Sequence, residues 1–90
     1  MTNESRDIRV KRLRMRVWHR GTKEMDLLLG GWADRNLDTA DDTAIDLFER
    51  VLEEQDHDLY QWISGQRQAP DYMADFAAGL ASEAVSRLGR

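Results

Sequence analysis

Apolar residues recur at the spacing of an α-helix through most of this 90-residue sequence. Between Met25 and Trp32, four of them occupy positions i, i+3, i+4 and i+7, which places them on one face of a helix. The segment Leu13–Val17 also alternates as a strand would, but its Arg, Leu and Met residues favour a helix and no partner strand is evident. The pattern therefore predicts an all-α fold, a small single-domain bundle of about five helices.

Capping residues and glycines set the ends of the predicted helices. Ser5 or Asp7 can cap the first helix, and Thr22 can cap the second. Gly21 suits the left-handed backbone just past a helix end, where a residue with a Cβ costs about 1–2 kcal/mol. The pair Gly30-Gly31 is expected to interrupt the second helix and to mark a bend or the close packing of a neighbour. The first expected helix is Ile8–Trp18, and the second runs from Thr22 to the linker Asn36–Thr39. A third starts within Thr39–Asp42. The fourth is Leu59–Ser64, capped by Asp56-His57-Asp58 and ended by Gly65, and a fifth starts at Pro70.

Length and composition limit the chain to one domain and argue against several classes of protein. Residues 1–90 form the single domain, with 1–7 as a flexible N-terminus. There is no cysteine, and His19 and His57 are too far apart in sequence to suggest a metal centre. No phosphate-binding loop, zinc motif or nucleophile motif is present, so we expect no enzyme. No apolar run approaches the roughly 20 residues that cross a membrane, and the chain is expected to be cytoplasmic.

Charge is distributed unevenly, although the formal net charge is only −4. Residues 1–24 carry eight Arg or Lys and three acids, a net of +5, while residues 25–90 carry five Arg and fourteen acids, a net of −9. Such a dipolar chain can steer an oriented encounter with a partner, but the same charges fit the solvated faces of any small soluble protein. The acidic remainder would repel phosphate, so we expect no nucleic-acid partner.

The segment Arg20-Gly21-Thr22-Lys23-Glu24 lies where the basic part of the chain ends and one predicted helix gives way to the next. Glu24 falls in the first turn of the second helix, where the helix dipole favours a carboxylate. One interpretation is a plain helix–helix corner with Arg20 as a surface charge. The other is a polar patch on a rigid corner that enters a partner's cleft, with His19 and Lys23 beside it.

Three tryptophans are many for so short a chain. Trp32 and Trp62 lie on apolar stripes, and we expect both in the core. Trp18 lies next to the corner, where it can belong to the core or to a binding surface. Together with Arg12 and Arg16 of the first helix, it is a candidate for additional contacts with a partner.

The corner resembles a motif of a known family, the bacterial SdhE proteins and the mitochondrial succinate dehydrogenase assembly factors. The resemblance is carried by Arg20-Gly21-x-x-Glu24, followed by Met25-Asp26-Leu27. A second similar stretch, Asp56-His57-Asp58-Leu59-Tyr60-Gln61-Trp62, has His57 where the family usually has proline. The resemblance extends over roughly residues 8–85, and the absence of a mitochondrial presequence from the sequence fits the bacterial branch.

The resemblance implies a small helical chaperone that promotes covalent flavinylation, the attachment of FAD to the flavoprotein subunit of succinate dehydrogenase or fumarate reductase. It implies assistance and not catalysis: the partner's own histidine forms the bond to FAD, and the chain itself binds no cofactor stably. We expect a monomer when free and no insertion into a membrane. The residues implied to dock near the partner's flavin site are Arg20, Gly21 and Glu24, with His19, Lys23 and Asp26 alongside.

A second hypothesis belongs to a different class. The chain would be a protein-interaction adaptor or antitoxin-like regulator whose basic first helix binds an acidic partner. That hypothesis predicts loss of binding when Arg9, Arg12 and Arg16 are neutralised, with Glu24 dispensable. The assembly-factor hypothesis predicts that Glu24 is required.

Overall fold

The computed structural model of the protein describes the backbone of residues 5–19 and 22–88, and the side chains of residues 5–19 and 22–83. Within these ranges every regular element is helical, so the predicted all-α fold is confirmed. The helices are α1 Arg6–Val17, α2 Lys23–Asn36, α3 Asp42–Val51, α4 Asp56–Ile63 and α5 Ala74–Leu88, with a 3-10 turn, Asp71–Met73, leading into α5. The predicted flexible segment 1–7 overlaps this first helix, which already begins at Arg6.

Side-chain caps fix the starts of α1 and α3. The Ile8 backbone N–H donates to Ser5 Oγ at 3.2 Å. The Ala44 N–H donates to Asp41 Oδ1 at 2.8 Å. Each bond satisfies one of the N–H groups that a helix start leaves unpaired. The structure thus selects Ser5 from the two caps predicted for the first helix.

The boundaries of the last two helices differ from the prediction in detail. α4 begins at Asp56, after Gln55, and not at Leu59, because the acids expected to precede the helix lie inside its first turn, where its dipole favours them. Gly65 follows the end of this helix as predicted, and its φ of 84° is the left-handed backbone that favours glycine there. Pro70 precedes the 3-10 turn instead of opening α5.

The second helix passes through both of its glycines without a break, so the predicted interruption is wrong. The indole ring of Trp18 lies directly on Gly30, and a Cβ built there would lie 2.5 Å from Cζ2 and 2.8 Å from Cδ2 of the ring. Carbon atoms attract each other best at about 3.5–4.0 Å, so only a glycine fits beneath the ring in this position. The prediction of a closely packed neighbour is therefore confirmed at Gly30.

Three aromatic rings from α2, α3 and α5 meet in the core. Trp32 stacks on Phe48 with 4.7 Å between ring centroids, and Phe76 meets Trp32 edge-on at 5.1 Å. Trp32 and Trp62, both expected in the core, are half-buried and pack against its edge. The buried apolar residues come from every helix, from two connections and from the 3-10 turn: Val10, Leu13, Val17, Met25, Leu29, Ala33, Leu37, Ile45, Phe48, Val51, Leu52, Leu59, Ile63, Met73, Ala77 and Leu80.

Acids of the same chain neutralise most of the basic first helix. The five arginines of α1 all form ion pairs with acids of α2, of α3 or of the connections that follow these two helices. The pairs are Arg6–Asp42 at 3.6 Å, Arg9–Asp46 and Arg9–Glu49 at 2.7 Å, Arg12–Glu49 at 3.3 Å, Arg14–Asp34 and Arg14–Asp38 at 3.4 Å, and Arg16–Glu53 at 3.1 Å. The hydrogen bond from Arg9 lowers the pKa of Glu49. The two oppositely charged parts of the sequence therefore face each other within the fold.

Tyr72 connects the 3-10 turn to the end of α3. Its hydroxyl donates to Glu54 Oε2 at 2.6 Å, and the Arg50 guanidinium carbon lies 3.7 Å from the centre of its ring. Burial, reinforced by the hydrogen bond to Glu54, raises the pKa of Tyr72 to about 12. The phenol therefore stays protonated, and able to donate this bond, through the physiological pH range.

Candidate partner-binding site

The predicted corner lies between the end of α1 at Val17 and the start of α2 at Lys23. Arg20 and Gly21 fall outside the described residues, so the roles predicted for them stay predictions. The structure places His19 on one side of the corner and the first turn of α2 on the other.

Glu24 presents a carboxylate at this corner. It is exposed in the first turn of α2, where unpaired N–H groups and the helix dipole favour a negative charge. Neither the side chain of Glu24 nor that of its exposed neighbour Lys23 has a hydrogen bond or ion pair with any described residue. Both charges are therefore available to a partner. Asp26, in the same turn, is half-buried and already interacts within the chain.

His19 is exposed, and one of its ring nitrogens contacts the backbone of α1. Nδ1 lies 2.7 Å from the carbonyl oxygen of Met15. Because a carbonyl oxygen only accepts, Nδ1 is the donor in this contact. The contact orients the ring and leaves Nε2 of this exposed residue without a hydrogen bond to any described residue.

Trp18 serves both of the roles considered for it. One face of its indole covers Gly30, while 38% of the residue remains exposed. The ring thus joins α1 to α2 and also gives the corner an apolar surface. This packing holds the end of α1 against the middle of α2.

Thr22 occupies the N-cap position of α2, but its side chain makes no capping hydrogen bond, contrary to the prediction. Its hydroxyl instead donates to Asp56 Oδ2 at 3.3 Å, at the start of α4. A shallow depression lies beside this contact. It is lined by Thr22, Glu24, Asp56, His57 and Tyr60. The start of α4 is therefore part of the same surface as the corner.

Sequence reasoning did not assign the three α4 residues, Asp56, His57 and Tyr60, to the site. They lie more than thirty positions from the corner, and only the packing of α2 against α4 brings them to it. The one available signal was that they belong to the second family-like stretch. Tyr60, 46% exposed, adds an aromatic surface there.

The other two candidate contacts, Arg12 and Arg16, bond to α3 and to the connection that follows it. Arg12 Nη2 lies 3.3 Å from Glu49 Oε2, and Arg16 Nη2 lies 3.1 Å from Glu53 Oε2 and 3.4 Å from the Leu52 carbonyl oxygen. Binding an external acid through these arginines would compete with the chain's own carboxylates. The arrangement therefore weighs against an adaptor that relies on the basic helix alone.

Two further findings concern the part of the chain that the structure describes. None of its helices combines the length and the apolar character that crossing a bilayer requires. No three of its His, Asp or Glu side chains are grouped so as to hold a metal ion.

The sequence of the chain was compared with those of known proteins and protein families. The model of the family described as "Flavinator of succinate dehydrogenase" matches residues 11–81, which include the whole corner and α4. The FAD assembly factor SdhE of Acetobacter pasteurianus is 38% identical over 66 residues, 73% of this chain and 61% of that protein.

Two mitochondrial proteins named succinate dehydrogenase assembly factor 2 are also similar. The one from Mycosarcoma maydis is 35% identical over 68 residues, 76% of this chain and 29% of its own length. The one from Arabidopsis thaliana is 33% identical over 72 residues, 79% of this chain and 38% of its own length. The chain thus spans between 29% and 61% of the length of these three relatives. By the match over residues 11–81, the chain belongs to the family of flavinators of succinate dehydrogenase.

Proposed function

We propose that this chain is an assembly factor that binds the flavoprotein subunit of succinate dehydrogenase and promotes its covalent flavinylation. The observation that carries the proposal is the free carboxylate of Glu24, exposed on a corner whose flanking helices are held together by Trp18 on Gly30. Membership of the family supports the identity of the partner. Arg20, Gly21, His19, Lys23 and Asp26 complete the proposed contact.

The proposed action is to stabilise one conformation of the partner. In that conformation the partner's own side chain and FAD are positioned to react, and this chain contributes no reacting group. A binder shifts such an equilibrium only by its difference in affinity for the two states. Moving the equilibrium from 1:99 to 99:1 requires about 10⁴-fold tighter binding to the favoured state. The exposed charges of Lys23 and Glu24 contribute to such a difference if they are paired in one partner state only, and the rest comes from the other contacts of the interface.

The size of the surface is sufficient for this role. A standard protein interface buries about 800 Å² on each partner. That is roughly one seventh of the 5888 Å² of accessible surface of this chain. The corner, the exposed part of Trp18 and the start of α4 form a continuous polar and aromatic area around which such an interface can be built.

Several finer points belong to the same proposal. The chain is not itself an enzyme, it handles FAD only as the cofactor of its partner, and it acts in the cytoplasm as a monomer when free. The flavoprotein of fumarate reductase is a second client. Light scattering during gel filtration tests the oligomeric state, and a retained FAD absorbance on the purified chain would contradict the statement about the cofactor.

The main experiment compares Glu24→Gln with Asp75→Asn in source cells that lack the native gene. Both residues are exposed acids in the first turn of a helix, so each substitution removes a similar dipole interaction, about 0.3–1 kcal/mol. We expect in-gel flavin fluorescence of the succinate dehydrogenase subunit to be lost with Glu24→Gln and kept with Asp75→Asn. Normal fluorescence with a folded Glu24→Gln protein would show that the site is wrong. Normal fluorescence of both flavoproteins in cells without the gene would show that the function is wrong.

A further inference from the structure

The outward face of α1 carries two apolar side chains that the proposed contact does not use. Ile8 is 59% exposed and Met15 is 68% exposed, the two highest values among the large hydrophobic residues that the structure describes. They are seven residues apart, which is two helical turns, so they project from the same side of the helix. The buried residues of α1, Val10, Leu13 and Val17, occupy the opposite side.

One unpaired positive charge lies between these two residues. Among the six cations of α1, all of them described, Lys11 alone has no ion-pair or hydrogen-bond partner, while the five arginines face acids of the same chain. Lys11 lies between Ile8 and Met15 on the outward face. The open surface along this face, which we call the α1 stripe, is formed by Ile8, Lys11, Arg12, Met15, Arg16 and His19.

The α1 stripe is continuous with the candidate site. It ends at His19, which belongs to the corner, and Trp18 beside it is the next exposed apolar residue. From Ile8 to His19 the stripe is about 16 Å long, from eleven residues at about 1.5 Å each. A partner seated on Glu24 would therefore reach the stripe within the span of one standard interface.

From this geometry we infer that the α1 stripe is a second half of the docking surface, and that it receives a segment of the flavoprotein whose apolar side chains are flanked by carboxylates. The inference rests on the proposed function. Apolar residues of the segment cover Ile8 and Met15, and its carboxylates pair with Lys11. Met15 suits this role because its unbranched thioether side chain adapts to irregular surfaces.

The test measures the dissociation constant of the full chain for the purified flavoprotein subunit by isothermal titration calorimetry. Met15→Gln and Ile8→Gln should each raise Kd about tenfold, the loss typical of a well-covered interface residue. Met15→Leu keeps the side chain apolar and should stay within about twofold. Lys11→Glu should weaken binding more than Arg67→Glu, which changes the net charge equally in the connection that follows α4. Circular dichroism checks that each variant is folded.

The possible outcomes separate this inference from the proposed function. If Glu24→Gln loses binding while Met15→Gln and Lys11→Glu bind as the unmodified chain does, the function stands and the stripe inference is wrong. If the unmodified chain does not bind the subunit at all, both are wrong. If Met15→Gln leaves Kd unchanged but abolishes self-association, or binding to vesicles of phosphatidylcholine and phosphatidylglycerol in equal parts, the stripe receives another occupant and the inference is likewise overturned.

Discussion

Replacing Gly30 by alanine tests whether the indole of Trp18 sets the packing of α1 on α2. The new Cβ would lie 2.5 Å from Cζ2 and 2.8 Å from Cδ2 of the ring, and the rigid indole can yield only by moving as a whole. Overpacking of this kind costs about 1–3 kcal/mol, whereas alanine in place of a helical glycine gains about 1 kcal/mol. We therefore expect Gly30→Ala to lower the free energy of unfolding by about 1 kcal/mol.

Gly79 supplies the matched control. It lies within α5, it is exposed, and a Cβ built on it meets no atom within 4 Å. Gly79→Ala should therefore raise the free energy of unfolding by about 1 kcal/mol, the propensity gain alone. For a domain of this size, 1 kcal/mol shifts Tm by about 4–8 °C, so thermal melts followed by far-UV circular dichroism should move in opposite directions.

A double-mutant cycle with Trp18→Ala isolates the contact. Without the ring, Gly30→Ala should become stabilising by about 1 kcal/mol, so the coupling between the two sites equals the overpacking cost of about 1–3 kcal/mol. If Gly30→Ala raises Tm as much as Gly79→Ala in the unmodified chain, the ring does not press on the helix and the reasoning is refuted.

Three further predictions concern single groups. Because the hydrogen bond from Arg9 lowers the folded-state pKa of Glu49, this carboxylate stabilises the fold above its ordinary pKa of 4.5, and the contribution is lost as pH falls through the lower folded value. Urea denaturation should accordingly show the stability difference between the unmodified chain and Glu49→Gln shrinking from about pH 6 to pH 3, and a constant difference would contradict this. Tyr72→Phe should cost about 1 kcal/mol through the lost hydrogen bond to Glu54. It should also remove the phase near pH 12 from a tyrosinate absorbance titration, and a persisting phase would count against the assignment. Gly65→Ala should lower the free energy of unfolding by about 1–2 kcal/mol, since φ is 84° there, and an unchanged Tm would argue against that strain.

The helices could be predicted because each has its own apolar stripe and its own end signals. Ser5, Asp41 and Gly65 act within a few residues of the positions they fix, so local pattern was sufficient for them. The start of α4 was misplaced because Asp56 and Asp58 suit the first turn of a helix as well as the position before it. The predicted break in α2 was wrong because Gly30 makes room for the ring of Trp18, twelve positions away, and does not interrupt its own helix.

The candidate site could be predicted only where it is local in sequence. His19, Lys23 and Glu24 lie within six positions of the sequence at the corner, and all three are exposed in the structure. Thr22 lies at the predicted N-cap position, but its side chain makes no capping hydrogen bond because its hydroxyl donates to Asp56 of another helix. The ion pairs of Arg12 and Arg16 with acids of α3 and its end were likewise missed. Counting charges along the sequence gives the net charge of each segment, but it does not show which helices pack against each other.

The ion pairs of α1 have a consequence for the order in which the chain is completed during synthesis. Arg9 and Arg16 bind acids of α3 or its end that lie 37 to 40 positions further along. At about 5–20 residues per second, these acids are made roughly 2–8 s after the arginines. During that interval the nascent helix is an uncompensated cationic segment close to the phosphates of the ribosome, which attract it. The N-terminal helix is thus made first but can lock into the fold only once α3 has emerged.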